Sequence, residues 1–143
     1  MAAGSLQCHA LRLRPGDEIC SSLQRFVVEN ELKAAFILTC VGSVTRATLR
    51  LADAEAGKAN KIMELSDRHE IVSLVGTLNE GGHLHASLSD KEGKVVGGHV
   101  MGNMIIFTTA EIVIGECSGL AFKRAMDAST GFLELEIESR DTS

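Results

Sequence analysis

The chain has 143 residues, 45% of them hydrophobic and 23% charged, with a formal net charge of −5 at pH 7. That length and mixture suit one domain, residues 1–143, able to bury a substantial core. The acidic balance, the lack of Trp and Tyr and the absence of any Lys/Arg cluster longer than Arg12-Leu13-Arg14 argue against direct nucleic-acid binding, which draws on a basic face for phosphates and stacking aromatics for single strands.

Residues 6–14, LQCHALRLR, alternate in polarity and predict a strand, which Pro15-Gly16 ends. Asp17 and Glu18 then open a helix with acidic groups at its positive end. Ile19, Leu23, Phe26 and Val27 give it an apolar stripe, and Asn30 or the residues just after it close it. A continuous apolar run at 34–41 predicts a buried strand, Gly42-Ser43 a turn or bulge, and 44–51 a second strand. A loop at 52–60 precedes strands at Lys61–Leu65 and His69–Leu78, and Asn79–Gly82 form another loop. His83–Ser89 and Val95–Val100 predict a hairpin, and the β-branched run Phe107–Ile114 predicts a central strand. A Gly-containing connection with a short helical turn is expected at 118–128, and Gly131–Glu138 predicts the last strand. One helix among many strands gives the α+β class, with a largely antiparallel sheet packed against one main helix.

No apolar run approaches the ~20 residues that cross a bilayer. The stretch MAAGSLQCHALRLR lacks the apolar core of a signal peptide. The expectation is therefore no membrane partner and a cytoplasmic protein, with a nuclear location also compatible. In that reducing setting the scattered cysteines Cys8, Cys20, Cys40 and Cys117 are expected to be free thiols.

The hairpin carries the chemistry. His83 and His85 stand two apart on one strand and so share a face. If Lys91, Glu92 and Gly93 make a three-residue loop, Asp90 pairs with Lys94, Ser87 with Gly97 and His85 with His99. The third imidazole then joins the first two. A two-residue loop would turn His99 to the other face, unless a bulge at Gly97-Gly98 restores the pairing. A lone His-x-His on a strand is commonly a solvated face, but three converging imidazoles suit one divalent metal. Zn²⁺ is expected, with Ni²⁺, Co²⁺ and Fe²⁺ as alternatives. His83, His85 and His99 would leave one coordination position for water, a group from another subunit or a small carboxylate. Glu70 is a candidate catalytic base or a partner supporting a metal ligand, against the alternative of a surface or inter-subunit salt bridge. His69, next to it and facing the other way, reads as a surface or interface histidine.

In order along the chain, the helix with Leu23 and Phe26, then AAFILTCVGSVTRATL, RHEIVSLVGTL, HLHASLSDKEGKVVGGHVMGN and TTAEIVIGE resemble the plants-and-prokaryotes-conserved (PPC) domain over roughly residues 8–138. The most specific pieces are the D-x-x-G-x-V-x-G-G-H stretch from Asp90 to His99 and the VGSV segment at 41–44. The resemblance implies an α+β sandwich that assembles as a homotrimer. It also implies a stand-alone, histidine-retaining type, in which His83, His85 and His99 fall where some prokaryotic members hold a metal. The plant core motif Gly-Arg-Phe-Glu-Ile is matched at Arg68, Glu70 and Ile71 but not at Asp67 and His69, so the partner binding credited to it is not carried over. The Arg-Gly-Arg-Pro core of the AT-hook does not occur in these residues. The expected function is a trimeric PPC protein binding a metal, with a small molecule at its open position. The alternatives are a protein-interaction module in transcriptional regulation without enzymatic activity, and a zinc-dependent hydrolase.

Overall fold

The computed structural model describes residues 3–140, so the two ends of the expected span, residues 1–2 and 141–143, lie outside the described residues. The elements are β1 (Ser5–Leu13), α1 (Ile19–Glu29), β2 (Ala35–Arg50), β3 (Ile62–Leu65), β4 (His69–Thr77), β5 (His83–Ser89), β6 (Val95–Ser118), β7 (Leu120–Met126) and β8 (Leu133–Ser139). Every ladder is antiparallel. The main sheet runs β1-β6-β5-β4-β2-β3 with a further β6–β2 pairing, so β2, β4, β5 and β6 close on themselves, while β7 and β8 form a separate ribbon. This is the expected α+β arrangement of an antiparallel sheet with one short helix.

The helix begins where the sequence expects it. The Glu18 carboxylate accepts from the Cys20 and Ser21 amides at 3.1 and 2.8 Å, and from the Met104 amide of β6 at 3.0 Å. One side chain thus caps the orphan amides of the first turn and ties the helix to the sheet. Ile19, Leu23 and Val27 are buried, and Asn30 forms the C-cap. They belong to one core cluster with Leu49, Leu78, Leu88, Met104, Ile106, Ile112 and Ile114, all fully buried. Each such side chain contributes roughly 1.5–3 kcal/mol through removal from water.

Four expectations are corrected. The strands predicted at 34–41 and 44–51 are one, β2; of the two readings of Gly42-Ser43 the bulge holds, a pairing irregularity within the strand, and the turn does not. Likewise 95–100 and 107–114 belong to one 24-residue strand, β6, carried through an irregular stretch where Asn103 takes a left-handed φ of 54°. Both strands bend through such bulges, which lets the sheet close. The helical turn expected at 118–128 is strand β7. LAFKRAM has no long apolar stripe to bury as a helix, and its backbone groups are satisfied by pairing residue for residue with β8. His69 is buried rather than at the surface, its Nδ1 lying 2.8 Å from the Asp67 carbonyl oxygen.

All four cysteines are free thiols. Burial, with the Glu18 carboxylate adding to it, pushes the Cys20 thiol up to about 12, and burial pushes Cys40 to about 11. Both stay protonated and unreactive at neutral pH. Among the described residues, no helix is long and apolar enough to cross a membrane.

Candidate metal centre

The turn between β5 and β6 fixes where the histidines fall. The Asp90 amide donates to the Lys94 carbonyl at 2.9 Å and the Gly93 amide to the Asp90 carbonyl at 3.0 Å. The Asp90 carboxylate accepts from the Glu92 and Lys94 amides, each at 2.9 Å. Those bonds hold its pKa below the ordinary carboxylate range. Gly93 closes the loop at φ +80°, a conformation that costs glycine nothing. The register beyond it is Ser89↔Val95, Ser87↔Gly97 and His85↔His99, the pairing of the three-residue loop. Flanking strands extend both rows, with Val75 beside His85, Thr77 beside His83 and Arg50 beside His99.

The three rings therefore meet. Their centroids lie 4.9 to 5.6 Å apart, and one nitrogen from each lies within 4.8 Å of the other two. His83 and His85 are exposed and His99 is half-buried. The Nε2 atoms of His83 and His85 are 3.3 Å apart. Two ligands on a tetrahedral Zn²⁺ at 2.0–2.1 Å are separated by about 3.3 Å, so this pair already has the spacing of one edge of a coordination tetrahedron. The His99 Nδ1 is buried without a hydrogen-bond partner. The donor set fits a divalent metal: three imidazoles, compactly placed, with no thiolate or carboxylate among them.

The electrostatics keep two of those imidazoles neutral, the form that ligates. His99 is pushed down to about 4 by burial first, then by Arg50, His83 and His85. Burial foremost, then His85, lowers His83; Arg124 and Arg50 add to this and Glu134 opposes it. The consequence for the metal-free protein has a definite sign. Between the ordinary histidine value of 6.5 and about 4, the unfolded chain takes up a proton at residue 99 that the folded chain refuses. Stability is therefore level above pH 6.5 and falls as pH drops through that window, by on the order of 1 kcal/mol once solvent screening is allowed for. Urea melts of metal-free protein at pH 7, 6, 5 and 4 check this. His99→Gln should flatten that part of the profile, and an unchanged slope in that variant would contradict the assignment.

A cleft of about 460 Å³ opens beside His83 and His99. It is lined by Arg50 of β2 and, from the β7–β8 ribbon and its turn, by Arg124, Met126, Phe132 and Leu133. Sequence reading missed both arginines. Arg50 is set beside His99 only by the long-range β2–β6 ladder, and Arg124 was hidden in the misread helical turn. Glu70 is not brought to this centre within the chain. It pairs with Ser89, whereas Thr77 pairs with His83; seven residues of strand separate Glu70 from Thr77, roughly 23 Å. It is exposed, on a shallow surface with Ser43, Phe107 and Thr108.

A closed antiparallel sheet with one helix, a β5–β6 hairpin bearing a His-x-His pair, and a third histidine facing them define the class of protein in hand. The chain belongs to the Plants and Prokaryotes Conserved domain family (PCC, or PPC), whose family model matches residues 1–118. A hypothetical protein from Salmonella cholerae-suis (Salmonella enterica) has the same fold, with a TM-score of 0.90 and 44% identity over 97% of this chain and 98% of its own. A metal-containing protein from Archaeoglobus fulgidus superposes with a TM-score of 0.81 at 28% identity, covering 95% of this chain and 99% of its own. The bifunctional protein GlmU of Synechococcus sp. (strain JA-3-3Ab) is 42% identical over 139 residues, 96% of this chain. The chain spans only 22% of that protein's length.

Proposed function

We propose that the protein is a histidine-type PPC-domain protein that binds one divalent metal ion per chain, Zn²⁺ by preference, through His83, His85 and His99. The observation that carries this reading is the convergence of one nitrogen from each ring within 4.8 Å. The Archaeoglobus relative, described as metal-containing, supports it. A bound metal would supply a Lewis-acid centre with a coordination position not filled by these three side chains. The chain's own residues orient the ligands through the hairpin register, and the cleft beside His83 and His99 gives a small molecule access to them. Glu70 lies elsewhere, so the reading is one of ligand binding and names no catalytic residue.

The same reading takes the chain as a homotrimer in the cytoplasm. The assembly is what the resemblance to the PPC domain implies. It is supported by Val41 on β2 and Val72 and Val75 on β4, strand valines each more than half exposed on a single copy, as residues covered in an oligomer would be. The test is elemental analysis of protein purified without added metal, alongside light scattering. About one metal ion per chain and a trimeric mass are expected. Protein that neither contains nor takes up zinc stoichiometrically would overturn the metal reading.

A further inference from the structure

Arg50 and Arg124 reach the same cleft from different elements, β2 and β7, and neither has a carboxylate within 4.0 Å among the described residues. The two acids of the cleft are engaged elsewhere. Glu80 accepts from the Arg124 backbone amide at 2.5 Å and pairs with Lys123 at 3.8 Å, and Glu134 accepts from the Thr130 hydroxyl at 3.1 Å. The Nε atoms of both arginines are buried without a partner. Arg124 is held in place by a 2.7 Å bond from its guanidinium to the Thr77 hydroxyl, on the residue that pairs with His83. Arg50 lies 5.7 Å from the centre of the Phe132 ring, within reach of a cation–π contact. Two cationic forks, positioned but unneutralised, are costly to keep part-buried unless an anion completes them.

The cleft is not wholly polar. Met126, Phe132 and Leu133 line it on the ribbon side. A guanidinium fork matches the paired oxygens of a carboxylate or a phosphate, and the apolar wall suits a carbon skeleton. The volume of about 460 Å³ is that of a small-molecule site.

We propose that Arg50 and Arg124 form an oxyanion subsite, which holds the carboxylate or phosphate group of a small, partly apolar molecule beside His83 and His99. The proposal deepens the metal reading by naming the class of ligand that the open position serves, and it rests on that reading only for the metal's share of the contact. Isothermal titration calorimetry of the whole protein with benzoate and with phenyl phosphate tests it. Benzyl alcohol serves as the uncharged control, and metal content is measured on every sample. One or both anions should bind, at least about tenfold more tightly than benzyl alcohol, and the tighter one identifies the head group. Arg50→Gln and Arg124→Gln should each weaken that anion by about tenfold or more, the worth of a charge-assisted pair. Arg124→Lys, which keeps the charge and is expected to fold, should recover only part of the loss. Metal content should be unchanged in all three.

Metal-loaded protein that binds neither anion better than the alcohol overturns the subsite and leaves the metal reading standing. Arginine-dependent anion binding in protein that holds no metal does the reverse. Equal binding by the unaltered protein and the folded variants also overturns the subsite.

Discussion

His83→Ala combined with His99→Ala is expected to reduce bound metal from about one ion per chain to under a tenth of that, while the protein remains folded and oligomeric. One imidazole left on a strand has no chelate partner. Zinc centres in proteins rest on three or four ligands held together by the fold. His83 is exposed, so its removal costs little stability. His99 is half-buried and pushed down to about 4, which means that the fold holds it neutral and its charge contributes nothing to stability at neutral pH. Elemental analysis, circular dichroism and light scattering on one preparation give the three readouts. Undiminished metal would place the ion elsewhere in the molecule. Loss of the assembly with the metal would make the ion a structural clip rather than a ligand-accepting centre.

Gly76→Ala should be the more damaging change to the fold, although it adds one methyl group. Gly76 sits on β4 at φ +133°, a region that L side chains rarely enter. A Cβ there would overlap the carbonyl oxygen of His83 and lie 2.9 Å from its carbonyl carbon and 3.1 Å from the Cα of Leu84. All three are backbone atoms of the paired strand, so no rotamer change relieves the clash; the ladder itself must open. The expected cost is about 3 kcal/mol or more, a fall of roughly 10 °C in Tm. Because the displaced carbonyl belongs to His83, metal retention should weaken as well, though residue 76 touches no ligand nitrogen. Thermal melts with and without added zinc check both effects. A Tm within about 2 °C of the unaltered protein would show that the β4–β5 ladder yields more easily than the geometry implies.

The two changes probe different levels of the same object. The first removes donors and spares the frame; the second strains the frame and leaves every donor present. If both behave as expected, the centre depends on three side chains and on the closeness of the β4–β5 pairing behind them.

Much of this was already legible in the residues. The helix from Ile19 to Glu29, its acidic start and its apolar stripe follow from a local rule of period 3.6, and Glu18 and Asn30 mark its ends. The β5–β6 hairpin is equally local. Asp90 and Gly93 specify a three-residue turn, a turn sets the register, and the register places His85 opposite His99. Histidines scattered over distant strands would not have been readable in this way; a cluster built on a single hairpin was.

Only the tertiary structure decided the rest, because the deciding contacts span long separations. Whether 34–51 and 95–118 are two strands or four depends on whether bulges or turns interrupt them, and the β2–β6 ladder settles that by carrying pairing through the irregular points. Whether 120–126 coils or extends depends on a partner strand that comes later in the chain. Arg50 and Arg124 stand beside the histidines only because β2 closes the sheet onto β6 and the β7–β8 ribbon lines the same cleft. Sequence periodicity fixes which face a side chain takes within its own element. Which distant element lies opposite that face is set by burial and backbone pairing across the whole chain, and that is why the meeting of the three histidines could be read from the sequence and the cleft beside them could not.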